Sequence, residues 1–589
     1  MGFPLHRGTV HEGLLTCHWH HARFDLASGG TLDPFADDVM AYPVELADNE
    51  VHILVVPPAD QLAKLRHRLG EGLEQGLTLV IAKAVLGLLE TGASPDEIVE
   101  AGVSFGTSYR VEGWGSGLTV LVAMANVLPH LEEGERALAL VHGLSFVSND
   151  TMGHSPRFPL APLEAAPPLR RLKEWYRSFV DTRSADAAER SLVTAVAHEY
   201  PPADLATTML AAVTDHVFID EGHVLDFTNK AFECLSHVGW ARAVDILPTL
   251  VHQTARARRH EEESAWRHPV DLAEMVRQAV EHLPQRLADA AAATRAAPDG
   301  FDDSDVDRLA WAVLAEDPVS VVEAIDRALE AGASLEQLAR AVAYAAALRL
   351  VRFHTQNDHG DWDVVHHAFT AANALHQCAV RSPSPELARG IYQCGLRVYL
   401  DRFLNVPAAR LPSAGTGNGS RGSRSAAGGG GGGTDNGDSG GTDNGDAGST
   451  SRTAQEVAGG SGLADLQSCW DVEGRVDDAG RICFRYLAGG GDAGRLIALL
   501  GRALLNEDAE FHWFQIFEAA VRQYRAWPAG SEQGMLVLVG AARFLAAHTP
   551  TRRELAQVYR IATRLRRGEP LYEEDGEAQQ EDDLQELAR

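Results

Sequence analysis

The sequence predicts a mainly α-helical protein built from repeated helical units and preceded by a small all-β module. Three observations carry this. From Asp60 onward, stretches such as QLAKLRHRLGEGLEQGLTLVIAKAVLGLLE and LEQLARAVAYAAALRLVRF set apolar residues at i, i+3, i+4 and i+7, the period of an amphipathic helix. Before that point GLLTCHWH, VMAYPVEL and EVHILVVPP are short, β-branched or aromatic, and separated by Gly, Asp and Asn, which is strand-and-turn texture. The helical part also repeats itself: LETGASPDEIVEAGVSFGTSYR (Leu89–Arg110) aligns with LEAGASLEQLARAVAYAAALR (Leu329–Arg349).

Taken in chain order, residues 1–58 are the β module and 60–412 are three helical units, near 76–167, 190–272 and 305–412. In the aligned pair, Gly92 and Gly332 read as helix C-caps, and Ser94 and Ser334 as N-caps of the next helices. A second pairing is His-x5-Asn, His223 to Asn229 and His367 to Asn373, with LVAMAN ending at Asn126 and HWFQIFE (His512 to Glu518) as weaker partners. That spacing does not put both side chains on one helix face. Residues 413–462, which include a run of glycines and two TDNGD segments, bury too little to offset the entropy of ordering them and read as a flexible linker. A fourth unit, 463–570, is expected to pack on the others, because HWFQIFEAAVRQYRAW has an apolar helical face that needs cover. Duplicated helix pairs stack for the same reason. The tail, 571–589, carries eight acidic residues against one arginine.

Composition excludes several classes. With 52 basic and 82 acidic residues the net charge is −30, which argues against nucleic-acid or anionic-membrane binding, since both need a basic footprint. No apolar run reaches the ~18 residues of a membrane span, and MGFPLHRGTVHEG has neither a basic nor an apolar leader region, so a cytoplasmic protein is expected. Six scattered cysteines make a disulfide framework improbable, and Cys234, Cys378, Cys394, Cys469 and Cys483 lack partner spacing. GEGLEQG and GWGSG lack the strand and helix context of phosphate loops, the GxSxG match at Gly437–Gly441 falls in the glycine-rich linker and makes no nucleophile elbow, and no HExxH zinc helix is present, which lowers hydrolase readings.

The strongest chemical signal is CHWHHARFDLASGG, Cys17 to Gly30, followed by DPFADDVMAYPVELADNEVHILV. Over about the first 56 residues the sequence resembles a Rieske [2Fe-2S] protein of the ferredoxin or ring-hydroxylating-dioxygenase type. That family carries Cys-x-His-x-Gly and Cys-Pro-Trp-His-Gly boxes, the second followed by a Phe-Asp strand and a stretch like AYPVEL. The resemblance implies that Cys17 is a thiolate ligand and His20 an imidazole ligand of a [2Fe-2S] cluster, and that the chain passes electrons for an oxidoreductase, such as an oxygenase, with a reductase or ferredoxin as redox partner. Two substitutions depart from the family box: His18 stands for proline and His21 for glycine. The opening MGFPLHRG matches residues that follow the first box, so the other two ligands are expected upstream of Met1, in an N-terminally longer chain. His6 falls between the boxes. The alternative reading of Cys17, His18, His20 and His21 is an adventitious histidine-rich loop that binds stray zinc.

Twenty-five histidines cluster beside acids: Asp215, His216, Asp220 and His223 in unit two, and His354, Asp358, His359, Asp361, His366 and His367 in unit three. Facing helices that supply His and carboxylate groups are how helical bundles hold iron or another transition metal, and His216, Asp220, His223, His359 and His367 form a candidate second metal site. Capping and surface roles compete with that reading for each of them, and for His142 and His252. The histidine set is also similar to the helical questin-oxidase-like proteins, which implies a histidine-bound metal oxidase with a vestigial Rieske module. A non-enzymatic helical scaffold is the other alternative.

Overall fold

The computed structural model describes residues 4–33, 36, 38, 39, 41–47, 50–53, 61–109, 113–296, 300–357, 359–412, 462–567 and 569. The linker and acidic-tail readings, 413–461 and 571–589, fall outside the described residues.

The β module is a three-stranded antiparallel meander, β1 (Thr9–His11), β2 (Leu14–Thr16) and β3 (Arg23–Asp25), plus a separate hairpin, β4 (Val44–Ala47) and β5 (Glu50–Ile53). Leu15 pairs with Val10 on one side and Phe24 on the other. Four buried residues, Cys17, Ala22, Phe24 and Ala36, form the core, with Leu5, Leu15, Trp19 and Val39 packed against it. Gly29 is required twice: its φ is +75°, and a Cβ there would sit 1.9 Å from the Val39 carbonyl oxygen. The module touches the helices through Arg68, whose Nη2 donates to the Ala36 carbonyl at 2.6 Å.

Everything after it is helical, so the fold is mainly α with a small N-terminal β region, as the sequence predicts. The helices are α1 (Gln61–Gln75), α2 (Thr78–Glu90), α3 (Pro95–Ser108), α4 (Ser116–Val127), α5 (Glu133–Thr151), α6 (Leu169–Asp181), α7 (Ala185–Ala197), α8 (Pro202–Asp215), α9 (His223–Val238), α10 (Ala243–Ile246), α11 (Val251–Arg256), α12 (Leu272–Ala296), α13 (Asp303–Val313), α14 (Pro318–Glu330), α15 (Leu335–Val351), α16 (Trp362–Arg381) and α17 (Leu387–Leu400). After the linker come α18 (462–469), α19 (Val476–Ala488), α20 (Ala493–Asn506), α21 (Phe511–Arg525), α22 (Glu532–His548) and α23 (Glu554–Arg566). No helix among the described residues is long and apolar enough to cross a membrane.

The duplicated caps behave alike. Gly92 and Gly332 have φ of +92° and +91°, and the Ser94 and Ser334 side chains accept from the amides of Glu97 and Gln337.

Four helices form an inner ring: α4 packs on α9 and α21, and α16 packs on the same two. An outer layer covers them, with α5 on α4, α15 on α16 and α22 on α21. One continuous core runs from Leu69 to Ala562, so the helices after the linker share it with those before. Bonds across that seam include His142 Nε2 with the Leu505 carbonyl at 2.9 Å and Arg566 Nε to Glu90 at 2.6 Å.

Candidate metal centre

Three of the ring helices begin at one end of the bundle, and each brings a histidine there: His223 is the first residue of α9, His367 lies near the start of α16, and His512 is the second residue of α21. His223 Nε2 and His367 Nε2 are each 3.2 Å from His512 Nε2. All three ligand atoms lie within 4.8 Å of one another, and among the described residues this is the one group of three or more such side chains so placed. Two imidazoles on one tetrahedral ion at ~2.0–2.1 Å have nitrogens roughly 3.3 Å apart, so the 3.2 Å edges fit.

Two of the outer nitrogens face acceptors, His223 Nδ1 through a hydrogen bond and His367 Nδ1 through an ion-pair contact. His223 Nδ1 donates to the Asp220 carbonyl at 2.9 Å, and His367 Nδ1 is 3.0 Å from a Glu221 carboxylate oxygen. Holding the proton on Nδ1 leaves Nε2 with a free lone pair, which is how second-shell groups orient metal-binding histidines. His512 Nε2 can donate its single proton to only one of the two lone pairs facing it. A cation satisfies all three.

Burial and neighbouring charge keep the His223 and His512 imidazoles in the neutral, metal-binding form. Burial, then His367, lowers the His223 pKa; burial, then His367 and His223, lowers that of His512 to about 2. The Glu221 carboxyl is held well below the usual carboxylate range by His367 and, further out, by Arg258. His366 is fully buried against His512, ring centroids 3.8 Å apart, and neither of its nitrogens has a hydrogen-bond partner.

The segment that delivers Asp220 and Glu221 is strained. Phe218, Asp220 and Glu221 have φ of +42°, +48° and +57°, followed by Gly222 at +90°. Left-handed non-glycine residues cost on the order of 1 kcal/mol or more each and persist only where surroundings hold them. Here the Asp220 amide donates to the Arg258 carbonyl at 2.8 Å, and Arg258 Nη2 donates to Glu221 at 2.5 Å. Gly222 admits no side chain, since a Cβ would lie 2.5 Å from that of Ala371.

Below the histidines the ring is filled with polar groups. Lys230 Nζ lies 2.9 Å from both Glu233 and Glu518, and Asn126 Nδ2 donates to the same two carboxylates at 2.8 and 3.2 Å. Arg522 Nε donates to Glu518 at 3.0 Å, and Gln515 donates to Asp226, whose acid burial pushes up to about 7. Lys230, Glu233 and Glu518 are all at most 3 % exposed. The bundle interior is thus a fixed polar column about 15 Å long, counting ten residues of α9 from His223 to Glu233.

Of the five histidines and acids picked out in the helical sequence, the structure brings together two, His223 and His367. His216 is engaged elsewhere, Nδ1 2.8 Å from Glu261. Asp220 serves through its carbonyl oxygen, not its carboxylate. The His359 side chain and Asp358 lie outside the described residues. His142 and His252 are partnered away from the cluster, with Leu505 and Glu189. The two residues of the His-x5-Asn pair on α9 go to different partners, His223 to His512 and Asn229 to Glu233 and Arg381. The ligand that sequence reasoning passed over is His512, although the internal alignment had already set it in register with the other two. In unit one the same register falls on Val120, fully buried, so the fourth ring helix supplies no ligand there.

In the β module, Cys17 is buried and His20 exposed on a tight loop closed by the Cys17 amide donating to the Ala22 carbonyl at 2.8 Å. His21 takes the left-handed conformation, φ +59°, that glycine would take freely. His18 bonds to Thr9 Oγ1. Cys17 and His20 belong to no group of three or more metal-capable side chains among the described residues.

No family model, curated protein or solved structure matches the chain.

Proposed function

We propose that the chain is a metal-dependent oxidoreductase whose centre is one transition-metal ion held by His223, His367 and His512. The observation that carries it is the convergence of three histidine nitrogens within 4.8 Å, two of the three edges at 3.2 Å, with His223 Nδ1 bonded to the Asp220 carbonyl and His367 Nδ1 facing Glu221. A three-imidazole site suits iron, copper or zinc, and the bound ion supplies Lewis acidity or one-electron chemistry at its remaining positions. Glu221 and the Asp220 carbonyl fix two of the rings. His366, neutral and unpartnered, is the group placed to give or take a proton beside them. Phe227 and Phe511 pack on His223 and present an apolar wall.

A Rieske-type electron-transfer role for the β module is a second reading, favoured by the Cys17–Ala22 loop and by His21 standing in a glycine conformation. It makes the helical centre redox-active rather than hydrolytic and calls for a reductase or ferredoxin as donor. A complete cluster needs a second Cys and His beyond those beside Cys17.

Elemental analysis of the purified chain tests the proposal. About one equivalent of iron or copper is expected, falling below a tenth in His512→Ala and His223→Ala while circular dichroism stays helical. Retention of the metal in both variants contradicts the site, and absence of metal from the wild type favours a helical scaffold.

A further inference from the structure

At the far end of the ring, where α4 and α21 finish, a cleft of about 400 Å³ opens. Its polar lining includes Asn126, His130, His376, Arg522 and Arg525, with Glu336 also on the wall. In a chain of net charge −30, this spot is locally cationic. Beneath it Lys230, Arg381 and Arg522 meet Glu233 and Glu518, with Asp226 as a third carboxyl near Lys230. Arg525 has no carboxylate within reach among the described residues; its Nη1 donates instead to His130 Nε2 at 2.9 Å. The His130 pKa is lowered by burial and then by Arg525 and Arg522, which reports the same field.

His376 gives the second, independent sign. It lines the cleft at 2 % exposure, and its Nδ1 accepts from Gln523 Nε2 at 3.0 Å, the same amide nitrogen that donates to Asn373 at 2.8 Å. That bond fixes the proton of the neutral ring on Nε2, and Nε2 has no partner. A buried N–H without an acceptor is unfavourable, so the position asks for one. Arg525 and the His376 Nε2–H thus offer two donors at the cleft, Glu336 and Gln377 add acceptors on its wall, and Val127, Val380 and Val521 supply apolar wall. Glu336 on that wall disfavours a doubly charged guest.

We propose that this cleft is a second binding site, one that takes an organic monocarboxylate, its carboxylate received by Arg525 and the His376 Nε2–H and its apolar body by the three valines. The volume is that of a small-molecule pocket. The site stands apart from the histidine centre, nine residues along α16 from His367 and thirteen along α21 from His512, so its occupancy does not depend on the metal.

Isothermal titration of the full chain, stripped of metal by chelation, tests this with benzoate, the neutral isostere benzamide and inorganic phosphate. Benzoate is expected to bind, benzamide at least tenfold more weakly, and phosphate more weakly than benzoate. Arg525→Ala and His376→Phe should each weaken benzoate at least tenfold. Arg525 is near the surface, so its variant carries the test even where His376→Phe fails to fold. Absence of benzoate binding, equal binding of benzamide, a preference for phosphate, or full benzoate affinity in Arg525→Ala overturns the proposal. Because the metal has been removed, none of these outcomes bears on the histidine centre.

Discussion

In the β module four buried residues hold a loop whose Cys17 and His20 are three positions apart. In the helical body three histidines separated by 145 and 289 residues meet on helices sunk in one continuous core. The module shows its chemistry in a short motif and has little structure behind it. The body hides its chemistry from any local window and has the packing to hold it. A site assembled from distant helix ends needs a rigid frame, because each ligand's position is set by inter-helix contacts and not by its neighbours in the chain. The strained Phe218–Gly222 segment makes the same point: such backbone survives only where the surroundings dictate it.

Breaking the frame of the body should have the largest effect. Lys230→Met leaves Glu233 and Glu518 facing each other in the ring with their central cation gone. A loss of about 3–5 kcal/mol is expected, the usual cost of removing one partner from a buried charge network, read from denaturant unfolding followed by helical circular dichroism. A change under 1 kcal/mol would show that the polar column does not support the bundle.

Acid should loosen the body next. Burial above all lowers the pKa of His142, His260 and His376 to about 4. Below about 6.5 the unfolded chain takes up protons at these rings that the folded chain refuses, so stability is lost as pH falls from about 6.5 towards 4. Asp226, pushed up to about 7 by burial, has the opposite sign: between about 4 and 7 the folded chain keeps a proton the unfolded one has shed. Asp401, pushed up to about 6 by burial, shares that sign. The three histidines outweigh the two acids, and a net loss of roughly a few kcal/mol is expected by pH 4. Thermal unfolding at pH 7, 6 and 5 checks it; a melting temperature that rises on acidification would refute the neutral-histidine picture.

The smallest effect belongs to the module. His21→Gly replaces a side chain held at φ +59° by the residue that adopts this conformation without strain. A local gain of roughly 0.5–1 kcal/mol is expected, seen as slower hydrogen exchange at the module's strand amides with no change in the helices. Faster exchange there would mean that the His21 side chain contributes more than its backbone costs.

Much of this was legible in the residues themselves. Helical periodicity located the body, and the Leu-Glu-x-Gly-Ala-Ser repeat named its caps, because both are local properties of the chain. His223 and His367 were legible through their repeat register. His512 stood in that register too, but its segment ends in Glu518 where the others end in asparagine, and the match looked poor. Glu518 differs because it is one of the two carboxylates around Lys230, a role visible only once α9 and α21 face each other across the ring. His216 and Asp220 drew notice by sitting among acids, yet the turn at Phe218–Gly222 sends the His216 ring to Glu261 and offers the Asp220 carbonyl instead.

The most direct test is X-ray absorption at the K-edge of the metal that copurifies with the full chain. The account predicts a first shell of nitrogen, with three imidazoles at ~2.0–2.1 Å and the outer-shell scattering of histidine rings. A first shell dominated by sulfur at ~2.3 Å, unchanged in His512→Ala, would place the metal on cysteine and contradict the histidine centre.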